Sequence, residues 1–184
     1  QQRDTINIRQ EVDGNEVSSD ALTMDFFTWV QNLPISQLVL TNIWLHPLLL
    51  AGHSVGMGVV VGIILMFDLR ILGYIPAVPV NLFHRLVGLG WAGFALNFVT
   101  GTLMLMAYAH TLATNWTFQL KLACIVAGGV CLWLQPKSLR ATGTDTREVT
   151  FAANAKLLAV ASLIFWIGAI AMGRLIAYTA PEGV

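Results

Sequence analysis

The 184-residue chain is 56% hydrophobic and only 11% charged, where a soluble domain carries a charge at roughly a quarter of its positions, so most of it has no water-facing surface to maintain. Ten basic residues balance ten acidic ones, which leaves no footprint for nucleic acid and no general attraction to an acidic partner. Cys124 and Cys131 sit seven residues apart in one apolar segment, about 10 Å along a helix axis. That is too far for a disulfide, and they read as small core residues.

Residues 1–20 have no apolar core and carry Asp4, Glu11, Asp13, Glu16 and Asp20, which makes them a polar arm. A first residue of Gln rather than Met fits either a processed product or a piece of a longer chain; removal of a signal peptide would explain it, and export of the N-terminus is expected. Within the arm, polar and apolar residues alternate over 5–12 and are followed by Asp13-Gly14, a hairpin-type turn. A lone hairpin is marginal in water, so the arm is expected to rest on another membrane or periplasmic protein, with the chain as its subunit.

The rest of the chain, residues 21–184, reads as one membrane domain. Asp25-Phe26-Phe27-Thr28-Trp29-Val30 has the pattern of a short interfacial helix, Leu33-Pro34 that of a turn, and Leu38-Val39-Leu40 an approach to the bilayer. Trp29 and Trp44 suit its polar boundary. Four stretches then reach the roughly 20 apolar residues that a crossing needs: 47–67, 87–109, 116–134 and 156–178. The predicted fold is all-α, a four-helix transmembrane bundle behind a short interfacial helix and the polar arm.

Basic residues decide the expected orientation. The connections at 68–85 and 135–156 hold Arg70, Arg85, Lys137, Arg140, Arg147 and Lys156, against Lys121 and Arg174 near the opposite ends of the spans. Both connections are expected in the cytoplasm, with both termini on the periplasmic side of a bacterial inner membrane. Small residues recur at close-packing spacing: Gly58 and Gly62, then Gly88, Gly90 and Gly93, then Gly128 and Gly129, then Gly168, Ala171 and Gly173. They fit plain bundle packing, and they also fit a flat cofactor lying against a helix.

The four histidines separate by depth. His46 and His110 fall at the outer ends of the first two spans, His84 at the inner start of the second, and His53 alone lies well inside hydrocarbon. An ionisable residue there is costly unless paired or ligating. His53, six residues past Pro47, and Lys121, five past Trp116, both lie about 8 to 9 Å below the outer surface. Imidazole is a common haem ligand, and an amine in an apolar site can serve as a second. The plainer reading makes His53 a core histidine bonded to the next helix through Asn97 or Thr100, and makes Lys121 a snorkelling lysine. His46, His110 and Met106 form a rival set whose imidazole and thioether donors suit Cu(I). Nothing in the sequence matches a soluble-enzyme motif: there is no nucleophile elbow, zinc-protease helix or phosphate loop.

The segments Trp44-Leu45-His46-Pro47, His53-Ser54-Val55-Gly56, Phe67-Asp68-Leu69-Arg70-Ile71-Leu72-Gly73, Trp91-Ala92-Gly93-Phe94, Thr100-Gly101, Asn115-Trp116-Thr117-Phe118-Gln119-Leu120-Lys121 and Gly173-Arg174-Leu175-Ile176-Ala177-Tyr178 together resemble a group of small bacterial four-helix membrane proteins of unknown function, over about residues 22–178. More distantly, a histidine in the first helix followed by glycines, with a lysine opening the third, resembles the copper-resistance D proteins and the four-helix protoporphyrinogen oxidases. The second resemblance implies haem b held by His53 and Lys121.

The expectation that follows is a membrane subunit that binds haem b and passes electrons between an outer-side redox partner and the quinone pool. His53 is one axial ligand, Lys121 or His110 the other, and Gly56 and Gly93 make room for the macrocycle. Two other classes compete with it: a non-catalytic accessory subunit of a larger complex, and a copper-handling protein using His46, Met106 and His110.

Overall fold

The computed structural model describes residues 25–78, 81–138 and 151–180. The hairpin expected over 5–14 and most of the basic loop at 135–156 lie outside them. Among the described residues every regular element is a helix. These are α1 over 25–31, α2 Pro34–Thr41, α3 Leu45–Leu72, α4 Asn81–Ala107, α5 Ala109–Ala113, α6 Trp116–Ser138 and α7 Ala153–Thr179.

Local chemistry sets several boundaries. Pro34 stands at the first turn of α2, where its missing N–H leaves no hydrogen bond unmade. The expected proline turn is therefore also the start of a second short helix. Gly73 ends α3 in the left-handed conformation, φ +91°, and Tyr74 N–H reaches back to the Leu69 carbonyl at 3.0 Å, a closure that glycine allows without a Cβ penalty. Asn115 precedes α6 and its Oδ1 accepts from the N–H groups of Thr117 and Phe118, at 2.9 and 3.3 Å, which satisfies two orphan donors of the first turn. The second span ends two residues earlier than expected. The chain leaves helical geometry at Tyr108 (φ −115°, ψ 33°) and restarts as α5.

Four of the helices, α3, α4, α6 and α7, are long and apolar enough to cross a membrane. Between 11% and 22% of their most apolar windows is buried inside the protein, so most of the apolar surface faces outward, as a lipid-facing chain requires. This is a multi-pass membrane protein whose surroundings include a lipid bilayer. Helix α3 pairs with α4 and α6 pairs with α7, while α3 against α7 joins the two hairpins. Among the described residues the backbones of α6 and of α3 and α4 stay apart, the short α5 bridges α4 to α6, and α6 reaches α3 by a side chain, Gln135 to Asp68. The bundle is thus closed along α3 and α7 and parted between α4 and α6.

Two apolar clusters fix its ends. Val39 of α2, Leu49 of α3 and Ala107 of α4 pack at the α5 end, flanked by Leu103 and Tyr108. Ile71 of α3 packs with Phe151, Ala155 and Ala159 at the other end. Helix α2 buries Ser36 and Val39 and leaves Ile35 and Leu38 exposed, an arrangement suited to the polar boundary of a bilayer. The Ser36 hydroxyl, donating to the Val30 carbonyl at 2.8 Å, holds α2 to α1.

Candidate functional site

His53 lies in the third turn of α3 and is half-buried against α4. Its Nδ1 stands 3.1 Å from the main-chain oxygen of Asn97 and 3.2 Å from Thr100 Oγ1. A carbonyl oxygen only accepts, and the Thr100 hydroxyl already donates to the Leu96 carbonyl at 2.7 Å. Both neighbours therefore accept, and Nδ1 carries the proton. The tautomer that follows leaves Nε2 with its lone pair, and that atom has no hydrogen-bond partner among the described residues. A histidine whose Nδ1–H is tied to a main-chain carbonyl while Nε2 stands open is the arrangement in which imidazole ligates a metal.

The ring has a dedicated place. A Cβ on Gly101 of α4 would come within 2.9 Å of His53 Cε1 and 3.3 Å of Nδ1, so glycine at 101 lets the imidazole lie flat against α4. Across the parting, Lys121 of α6 lies within electrostatic reach of the His53 ring. Its amine makes no hydrogen bond or ion pair among the described residues. Its chain runs over Gly173 of α7, where a Cβ would stand 3.5 Å from both Cε and Nζ. Two nitrogen-bearing side chains from different hairpins thus lie within electrostatic reach of each other, on helices α3 and α6 whose backbones stay apart.

The other sequence candidates go elsewhere. His46 packs edge-on against the Tyr108 ring, centroids 5.5 Å apart, and its Nε2 is buried without a partner. His110 is exposed on α5. Gly56 and Gly93 meet at the α3–α4 crossing: a Cβ on Gly56 would be 2.8 Å from the Gly93 carbonyl, and one on Gly93 would be 2.9 Å from Val59 Cγ1. The room they leave is filled by helix contact, so the space beside His53 comes from Gly101 instead. Among the described residues no three His, Cys, Asp or Glu side chains converge. A ligand held by protein donors alone would need main-chain or thioether groups as well.

Sequence reasoning named His53, Lys121, Asn97 and Thr100. The roles of Gly101 and Gly173, to be small beside those side chains, were not foreseen, although Gly173 stands among the close-packing small residues of the last span. At Asn97 the acceptor is the main-chain oxygen, and Asn97 Oδ1 is buried without a partner among the described residues.

No curated protein and no solved structure matches the chain. A family model does, over residues 46–179, from His46 at the start of α3 to Thr179 at the end of α7. The match takes in all four crossing helices and leaves out the polar arm, α1 and α2, and by it the chain belongs to DUF6644, a family of unknown function.

Proposed function

We propose that this chain is a haem-b-binding subunit of a bacterial inner-membrane complex, passing electrons between a redox partner on the periplasmic, α5 side and the quinone pool. The observation that carries the reading is the His53 tautomer: Nδ1–H is committed to Asn97 O and Thr100 Oγ1, and the Nε2 lone pair is left open. The donor set fits the group. A haem needs one or two axial bases rather than three converging side chains, and His53 with Lys121 supplies two nitrogen bases on helices whose backbones stay apart.

Bound haem supplies reversible one-electron chemistry at its iron. The chain's own residues do the rest. Asn97 and Thr100 fix the orientation and basicity of the imidazole. Lys121, on the facing hairpin, offers its amine as a second ligand or its charge to an acidic substituent. The apolar helices keep water from the site. His46 and His110, exposed or turned onto Tyr108, stand outside this assignment.

The test is a dithionite-reduced minus oxidised absorbance spectrum of the purified protein, with a pyridine haemochrome assay on the same sample. The expected result is a stoichiometric b-type signal that His53→Ala abolishes and Lys121→Met shifts. Full haem with an unchanged spectrum in His53→Ala removes the ligand assignment. The second reading, a colourless accessory subunit, draws on the aromatic face of α4. There Trp91, Phe94 and Phe98 pack ring to ring at 5.8 and 6.1 Å and stand outward for a neighbouring helix. Absence of any haem signal would select it.

A further inference from the structure

The other end of the membrane domain holds a polar cluster that the haem reading does not use. Asp68 lies in the last turn and a half of α3, fifteen residues beyond His53, about 22 Å away along the axis. It is wholly buried, as are Gln135 of α6 and Ser162 of α7, so three helices meet on one carboxylate. Gln135 Nε2 donates to Asp68 Oδ1 at 2.6 Å. Asp68 Oδ2 and the Ser162 hydroxyl are both buried side by side, and neither makes a hydrogen bond of good geometry.

Charge makes this arrangement incomplete. A carboxylate inside a membrane domain calls for a cation, a metal or a proton to balance it. Among the described residues the charged and titratable neighbours are Arg70 on the same helix and Cys131 on α6, whose thiol lies within electrostatic reach. Arg70, two residues on, projects from the opposite side of α3. Its Nε donates to the Val78 carbonyl at 2.7 Å and its guanidinium lies over the Phe151 ring, 5.7 Å from the centroid. Among the described residues Asp68 makes no ion pair.

We infer that Asp68 and Ser162 form a binding site for a single positive charge, a proton or a sodium-sized cation, at the junction of α3, α6 and α7. A proton on Oδ2 donates to Ser162 Oγ and completes both orphan atoms while Oδ1 keeps its bond from Gln135. A small cation is held by Oδ2 and Oγ together, hard oxygen donors of the kind such ions prefer. In either case one charge enters and the carboxylate is neutralised, and no bond of the chain is broken. The inference is independent of haem.

The experiment uses the full chain in lipid nanodiscs, with two readouts. One is the infrared carbonyl band of a protonated carboxylic acid at neutral pH. The other is the thermal midpoint in sodium, potassium or choline chloride at matched ionic strength. A proton site gives a carboxylic band that Asp68→Asn removes and Ser162→Ala shifts upward, with no salt selectivity. A cation site gives a midpoint several degrees higher in sodium than in choline, an increment that Asp68→Asn abolishes. Should Asp68→Asn not fold, Ser162→Ala retains the acid and still moves the band or raises the sodium concentration needed. A wild-type protein with neither the band nor a sodium increment overturns the inference.

Discussion

Gly101 lies beneath the His53 ring so closely that a Cβ there would stand 2.9 Å from Cε1, well inside any contact a carbon atom tolerates. The ring itself is held to the same helix by Asn97 O and Thr100 Oγ1. Gly101→Ala must therefore push the imidazole away from α4 and stretch those bonds. The expected outcome is a chain that still inserts and folds but loses haem or shows a displaced reduced-band maximum, read by the same difference spectrum as for wild type. An unchanged spectrum would mean that the ring has slack the geometry does not show.

At the α3–α4 crossing the contact is backbone on backbone, since a Cβ at Gly56 would lie 2.8 Å from the Gly93 carbonyl and 2.9 Å from Asn97 N. Neither atom is the far end of a flexible side chain, so Gly56→Ala separates the helices and is expected to cost about 1 to 3 kcal/mol. Gly58, one turn along the same helix at most, has nothing within 4 Å of its Cβ position. Gly58→Ala should be neutral or stabilising by up to about 1 kcal/mol, the ordinary helix-propensity gain. Thermal unfolding in one detergent checks the pair, and the difference between them carries the test rather than either value alone.

How far the sequence revealed these relationships follows from what each depends on. Span number and placement were legible because hydropathy over 20 residues is a property of the chain alone. Asn97 and Thr100 as partners of His53 were legible because facing residues of an antiparallel helix pair sit at matching depth. The Gly56–Gly93 contact was not. Glycine spacing marks a face that can approach closely, but which helix takes up the room depends on how four helices are arranged. The burial of Asp68 was not legible for the same reason: it exists only once Gln135 and Ser162, 67 and 94 residues further on, are brought against it.

Thr100 acts on His53 through a hydroxyl whose proton is already spent on the Leu96 carbonyl. Thr100→Val keeps the shape and removes one of the two acceptors facing Nδ1–H. The loss is about 0.5 to 1.5 kcal/mol of stability. A weaker bond at Nδ1 makes the imidazole a poorer electron donor through Nε2, so the haem midpoint potential is expected to rise. Potentiometric titration of wild type and Thr100→Val provides the comparison. Thr100→Ser, which restores the acceptor, should return the potential towards the wild-type value, an outcome that a purely structural role for Thr100 would not produce.

Arg70 closes the end of α3 by two contacts that a lysine cannot make together. Its Nε donates to Val78 O at 2.7 Å, which holds the segment after Gly73 against the helix, and its planar guanidinium covers the Phe151 ring that leads into α7. An ammonium can take the carbonyl or sit over the ring, but it is a point donor on a flexible stem and not a plane. Arg70→Lys is therefore expected to loosen residues 73–78 while the spans keep their packing. Amide exchange in that segment should quicken by about an order of magnitude, the equivalent of roughly 1.4 kcal/mol of local stability, with little change in the global thermal midpoint. If instead the midpoint falls sharply, Arg70 is holding α3 to α7 through the Phe151 cluster, and the loop is only a secondary beneficiary of that contact.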